Sequence, residues 1–429
     1  MNMEKIITLQ NKHWFSAYSG LIRRSLLGQL EKKIALKEIQ IIVGVRRSGK
    51  STLFKLLINS LKEKGINSKE ILYINLEDPL YFDTWKNPGN IHRVVETAEK
   101  ITGRKIKYLF LDEIQHIDKW ESFVKSVYDA EVFKKIFITG SNSVLLKSDY
   151  SKMLSGRYVY DTAYPLSFRE ILAHKGINSY LDLIKEIPSV LNITENMLKH
   201  GSFPEVFKTD EEELKRTQLL SYYETILFKD CVEGRKLKDT KMLENLSLYL
   251  ISTPAALYSY NGLAKSVGSN ENTVKEYINS LESAFLLYEV KKFSYKIKEQ
   301  IKSNKKAYIA DNGLINAVSF KFSENKGKLF ENFVFTEFLK SGIREIYYYQ
   351  NGQNKKECDF VIKKDGVYIP IQVSYELTEK NMQREIKGLS YAMDEMSLKK
   401  GYVVTFNQEK NIDKKIKAIP FYKFLFEVV

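Results

Sequence analysis

Cysteine is nearly absent: Cys231 and Cys358 are the only two in 429 residues. They stand far apart, which excludes a disulfide framework and a cysteine-rich metal site. Long apolar runs are missing too. No stretch approaches the roughly 20 residues of a membrane span, and Met1-Asn2-Met3-Glu4-Lys5-Ile6 lacks the long apolar core of a signal peptide. The expected compartment is the cytoplasm, with no membrane partner. Acid is scarce relative to base: 53 Asp and Glu against 67 Lys and Arg give a formal charge of +14. That balance suits nucleic acid or another anionic surface, and it also arises in lysine-rich proteomes. With 44% hydrophobic and 28% charged residues the chain is globular rather than disordered. Its length exceeds one ordinary domain and fits about two to four.

Against this background one segment stands out. Gly44-Val45-Arg46-Arg47-Ser48-Gly49-Lys50-Ser51-Thr52 fits the phosphate-binding pattern G-x-x-x-x-G-K-[ST] at every fixed position. An apolar run, Ile39 to Val43, precedes it, and Leu53-Phe54-Lys55-Leu56-Leu57 reads as a helix after it. Strand, loop and helix are the context the motif requires. Glycines let backbone amides converge on a triphosphate, and a helix N-terminus adds a favourable field. Lys50 would reach the outer phosphates of ATP, and the Ser51 hydroxyl would meet Mg2+. Arg46 and Arg47 would contact a bound partner or the nearby fold.

About 60 residues later Ile106 to Leu111 reads as a strand that ends in Asp112 and Glu113. An acid at such a strand end holds Mg2+ through water, a role that suits Asp112. Glu113 is the candidate base for the attacking water. Further strands are expected at Glu70–Leu76, Lys135–Thr139 and Tyr158–Asp161, with helices between them. The alternation predicts an α/β fold, a parallel sheet covered on both faces, with ligands at the carboxyl ends of its strands. Ser141 and Asn142 would sense phosphate or orient water there, or else cap a local turn. Arg157 would neutralise transition-state charge from a neighbouring subunit or domain, or form a surface salt bridge.

Five segments together resemble a known family. They are Val43 to Ser51, Leu111-Asp112-Glu113-Ile114-Gln115 with Trp120 after it, Thr139 to Asn142, Leu154-Ser155-Gly156-Arg157, and Pro165-Leu166-Ser167-Phe168-Arg169-Glu170. They look like the AAA-type ATPases that carry a DUF4143 C-terminal region. The resemblance implies a P-loop NTPase core of the additional-strand class over residues 1–165, with Glu113 matching the catalytic glutamate. Gly201 to Val206 matches a turn that recurs in the same family and breaks a helical lid or bridge expected over 166–240.

Residues 241–300 have helix-turn-helix spacing: a helix over Met242–Ile251, a short one over Gly262–Gly268, and a second opening at Ser269 and running to Ser283. Phe285 to Val290 reads as a wing strand. The second helix carries Asn272, Thr273, Lys275, Glu276 and Asn279 as polar candidates for DNA contact, and docking of protein is the competing use. The last third, 301–429, resembles a PD-(D/E)XK nuclease core of restriction-endonuclease-like α/β type. The resemblance places Glu331, Asp359 and Gln372 at a metal-gathering site. It departs at Ser374, where the pattern wants lysine, so the expectation is a vestigial site without efficient cleavage. Lys380 lies nearby in sequence and would substitute from a helix. The aromatic C-terminal tail would stack bases or fill a core. The function expected is Mg-dependent ATP hydrolysis coupled to a conformational change on duplex DNA or a protein partner, with self-association possible. The alternative is a nucleotide-gated scaffold with little turnover.

Overall fold

The structure is a computed structural model that describes residues 3–81, 86–143, 153–233, 237, 239–319, 326–352 and 356–429. Residues 234–236 and 238 of the expected helical bridge lie outside it. The chain divides into two compact units, Met1–Tyr164 with Ser283–Phe285, and Pro165–Glu282 with Leu286–Val429.

The first unit is built on five parallel strands: β1 (Ile39–Val43), β2 (Ile71–Asn75), β3 (Tyr108–Asp112), β4 (Lys135–Gly140) and β5 (Tyr158–Thr162). Every residue of β1, β3 and β4 is buried. That is why these segments read as near-continuous apolar runs rather than alternating ones. The spatial order is β2-β3-β4-β1-β5. β4 thus lies between the strand that feeds the glycine loop and the strand that carries the acids, which makes this a P-loop NTPase sheet of the additional-strand class. Helices Lys50–Glu63, Asn90–Thr102 and Trp120–Asp129 connect the strands. Phe110 stacks on Phe137 at 4.3 Å between ring centres and meets Phe54 edge-on at 5.0 Å, fixing the first helix against the sheet.

β2 is an edge strand, and an open edge invites pairing with another chain. The N-terminal segment covers it with side chains. Asn11 exchanges two hydrogen bonds with the Tyr73 backbone, at 2.9 and 2.7 Å, and Trp14 Nε1 donates to Ile71 O at 2.9 Å.

The second unit holds a mixed nine-stranded sheet. Its strands are β6 (Leu257–Tyr258), β7 (Leu287–Lys292), β8 (Lys305–Ile309), β9 (Glu345–Gln350), β10 (Glu357–Lys364), β11 (Val367–Ser374), β12 (Gly401–Thr405), β13 (Lys410–Asn411) and β14 (Ile416–Pro420). Their order is β13-β14-β12-β11-β10-β9-β7-β8-β6. The expected boundary at 300 falls inside this sheet. The expected wing strand, β7, pairs antiparallel with β8 beyond that boundary and parallel with β9 of the last third. Helices Tyr260–Ser266 and Glu271–Ser283 precede it. The β10–β11 hairpin turns on Asp365 and Gly366, both at positive φ, as a two-residue turn requires. Helix Glu379–Glu395 crosses β10 at Gly388, where a Cβ would lie 1.8 Å from Glu357 O. The aromatic tail is core: Phe421, Tyr422 and Phe424 are buried in helix Phe421–Glu427.

Candidate active site

In the first unit parallel register brings the carboxyl ends of the strands level. Val43 lies opposite Gly140, and Asn75 opposite Asp112. The glycine loop leaves β1 at this edge. Gly44 has φ +151°, and a Cβ there would lie 2.1 Å from Ala163 O, so the first fixed glycine is demanded by close approach to the chain after β5. Gly49, at φ 94°, turns the chain into helix Lys50–Glu63. Arg24, which the sequence did not single out, braces the loop by donating to Ser48 O at 2.8 Å and Tyr164 O at 2.7 Å.

Lys50 is 3% exposed. Its ammonium donates to Gly44 O at 3.2 Å and lies 3.4 Å from Glu113 Oε1. Arg46 turns back to Glu77 at 3.1 Å, whereas Arg47 is exposed. Ser51 and Thr52, in the first helical turn, are half-buried.

Asp112 is held by three hydroxyls. Tyr73 donates to Oδ2 at 2.6 Å, Thr139 donates to Oδ1, and Ser51 hydrogen-bonds the same carboxylate. Burial pushes its carboxyl up, the neighbouring Glu113 adds to this, and the three hydroxyls pull it back. On Glu113 burial again opposes charge, but Lys50, Gln115 and Arg46 outweigh it and hold the carboxyl below its usual range. Glu113 stands in the left-handed region at φ 56°, its backbone N–H donating to Thr139 Oγ1 at 2.9 Å. Gln115 Nε2 donates to Glu113 Oε2 at 2.5 Å and to Ser141 Oγ at 3.1 Å. Ser141 and Asn142 are buried after the end of β4. Tyr73, Thr139 and Gln115 thus join the cluster beside the residues expected in it.

Mg2+ bound here would need hard oxygen donors. The Ser51 hydroxyl and Asp112 carboxylate already touch and supply that chemistry. Among the described residues Ser48 Oγ and Gln115 Oε1 are buried without a hydrogen-bonding partner, as befits a cradle for phosphate and water.

Arg157 is not brought to this cluster. It precedes β5, and its carbonyl accepts from Ile39 N at the start of β1, so it sits at the amino edge of the sheet. There it pairs with Asp129 at 2.8 Å.

In the second unit Glu331, on helix Lys326–Lys340, meets Asp359 and Gln372 from β10 and β11 around a cleft of about 450 Å3. The β9–β10 register shifts between Cys358 and Val361, so Asp359 sits on an irregularity of the kind that re-aims a side chain. Gln372 Oε1 accepts from Asp359 N at 3.3 Å, and its Nε2 donates to Glu385 at 2.8 Å. Lys380 is exposed and supplies no cation to the cluster. Lys306 does, from β8: its ammonium lies 2.7 Å from Glu331, 2.6 Å from Glu357 and 3.3 Å from Asp359. Burial opposes ionisation of Glu331, but Lys306 and Lys328 hold it down at about 2. Burial and Glu331 push Asp359 up to about 7.

On helix Glu271–Ser283, Asn272, Glu276 and Asn279 are exposed and Thr273 is half-buried. Lys275 is paired with Glu271 at 2.5 Å and lies over the Tyr260 ring.

Comparison with known proteins accounts for most of the chain. Residues 36–172 match the family model described as an AAA domain, 192–325 a domain of unknown function, DUF8612, and 326–424 a second, DUF4143. An uncharacterized protein of Haemophilus influenzae is 33% identical over 360 residues, covering 82% of this chain and 86% of the relative. One of Methanocaldococcus jannaschii is 32% identical over 418 residues, covering 92% and 90%. Among solved structures, the Aeropyrum pernix ORC1 protein in complex with DNA is similar at a TM-score of 0.34 and 13% identity, covering 72% of this chain and 96% of that one.

Proposed function

The chain belongs to the family that joins an AAA domain to a DUF4143 region, and on that premise we propose that it binds and hydrolyses Mg-ATP and uses the cycle to act on a bound partner. The observation that carries this reading is the Lys50–Glu113 contact of 3.4 Å beside the Ser51–Asp112 pair. Gly44 to Thr52 would cradle the phosphates, with Lys50 leaving its loop carbonyls for the phosphate oxygens. Ser51 and Asp112 would hold Mg2+, which when bound neutralises charge on the phosphate oxygens. Glu113, ionised because Lys50 and Gln115 outweigh burial, would accept the proton of the attacking water. Gln115 would hold Glu113 in place, and Ser141 and Asn142 would orient water at the γ position. Arg157, at the far edge of its own sheet, would serve only a neighbouring molecule in a self-associated form.

Duplex DNA is the partner we favour. The order of helices Thr240–Ser252, Tyr260–Ser266 and Glu271–Ser283 with β6, β7 and β8 supports a winged-helix reading, and the net charge is +14. A protein partner is the second reading, favoured by the pairing of Lys275 with Glu271. No described helix is long and apolar enough to cross a membrane, and we place the activity in the cytoplasm.

The test is phosphate release by wild type and by Glu113→Gln, with and without duplex DNA at low and high salt. Turnover lost in the variant and salt-sensitive DNA binding support the proposal. ATP binding without hydrolysis under every condition would leave a nucleotide-gated scaffold.

A further inference from the structure

The resemblance of the last third to a nuclease core implies a divalent metal between Glu331, Asp359 and Gln372. The oxygens that would face that ion are already engaged. Glu331 Oε1 accepts from Lys306 Nζ and from Tyr308 OH, both at 2.7 Å, and Oε2 accepts from Lys328 at 2.7 Å. Asp359 Oδ1 faces Lys306 at 3.3 Å, and Oδ2 accepts from Val373 N at 2.9 Å. Gln372 Oε1 accepts from Asp359 N. Among the described residues no group of three or more His, Cys, Asp or Glu side chains is arranged to hold a metal. The residues present do not fit the ion.

They fit an ammonium. Lys306 is 1% exposed, and a lysine has three N–H donors. Three carboxylates, Glu331, Glu357 and Asp359, surround it. We infer that Lys306 is the resident cation of this cluster and permanently supplies the positive charge that a divalent metal would bring, so that the carboxylates fasten β8 to β10 and to helix Lys326–Lys340. Buried carboxylates without a cation are costly, so a cluster that had lost its metal would need such a lysine. The lysine absent at Ser374 is then not missed, because the positive charge arrives from another strand. Because Lys306 is enclosed by protein, its Nζ is out of reach of a phosphate.

The experiment is a Mn2+ titration of the nucleotide-free full chain, read by electron paramagnetic resonance and by melting temperature. Wild type and Asp359→Asn should bind Mn2+ indistinguishably. Lys306→Ala should melt lower than wild type and bind Mn2+ at least tenfold more tightly. Mn2+ should restore part of its melting temperature, and Lys306→Ala/Asp359→Asn should lose that restoration. A Mn2+ site in wild type that Asp359→Asn removes overturns the inference, and this comparison stands even if Lys306→Ala does not fold. A folded Lys306→Ala protein that gains no site overturns it as well.

Discussion

Lys50 and Glu113 face each other across 3.4 Å at the carboxyl edge of the parallel sheet, each largely enclosed by protein. The contact joins the candidate phosphate-binding cation to the candidate base and holds the Glu113 carboxyl below its usual range. It also predicts different losses for the two residues. Glu113→Gln keeps shape and the lysine's freedom, so ATP binding persists while turnover falls by about 10²- to 10⁴-fold. Lys50→Met removes the phosphate cation, so binding itself weakens. Equilibrium binding of a fluorescent ATP analogue, beside phosphate release, separates the two.

Gln115 donates to Glu113 and to Ser141 from one amide. Its hydrogen bond helps keep Glu113 ionised. In Gln115→Leu that support is gone, so the Glu113 carboxyl rises and the acid limb of the pH–rate profile moves to higher pH. Turnover near neutrality should fall about tenfold, equivalent to about 1.4 kcal/mol, with KM for ATP little changed. A shift in the acid limb marks a positioning role, because a purely structural loss would leave the limb where it is.

The paired motifs were legible because each is contiguous. Gly44 to Thr52 and Asp112–Glu113 carry their geometry in strand, loop and helix spacing. Tyr73 and Thr139 were not, since their hydroxyls reach Asp112 only through the register of β2, β3 and β4. Gln115 left a signal inside Leu111 to Gln115, but not its bond to Ser141. Lys306 comes from a strand 53 residues before Asp359, and no local pattern announces it. The place of Arg157 could have been foreseen: a residue just before a parallel strand lies at the amino edge, opposite the phosphate loop.

That placement of Arg157 carries its own prediction. Its Asp129 partner is solvent-facing, so water screens the pair and its loss leaves the fold intact. At concentrations where the protein is monomeric, Arg157→Ala should hydrolyse ATP at the wild-type rate. Sedimentation alongside the assay establishes the monomer. A deficit in the monomer would contradict the placement at the far edge, whereas a deficit that appears only on assembly would mark a role in a neighbour's site.

Gly201 and Asp311 fix the packing of the second unit. Gly201 has φ +71°, and a Cβ there would lie 1.6 Å from Asp311 Oδ1. The same carboxylate accepts from Ser202 N at 2.7 Å and Gly313 N at 2.9 Å. Gly201→Ala therefore combines an unfavourable φ with a clash against an anchored group. It should cost about 3 kcal/mol. Gly268→Ala, also at positive φ but with open space around it, should cost about 1 kcal/mol. Urea unfolding of the two variants checks the difference, and equal losses would remove the steric part of the argument.

Asp311 itself gives the unit a pH dependence. Burial pushes its carboxyl up to about 6, against the pull of Lys340 and of the donors Ser202 and Gly313. Folding raises this pKa above its unfolded value, so the folded state holds the proton more tightly. The stability it contributes is fully present below about pH 4 and is lost as pH rises through 6. A rise to about 6 corresponds to about 3 kcal/mol. The other charged groups nearby are Glu337, paired with Lys340 at 2.9 Å, and His200, whose carbonyl faces Gly313. They are the same in Asp311→Asn, as is the raised carboxyl of Asp359, so they cancel in a comparison. The unfolding free energy of wild type minus that of Asp311→Asn should therefore fall between pH 4 and 7 and level off above it. A difference that stays flat across that range would mean that Asp311 ionises in the folded protein as it does in the unfolded chain.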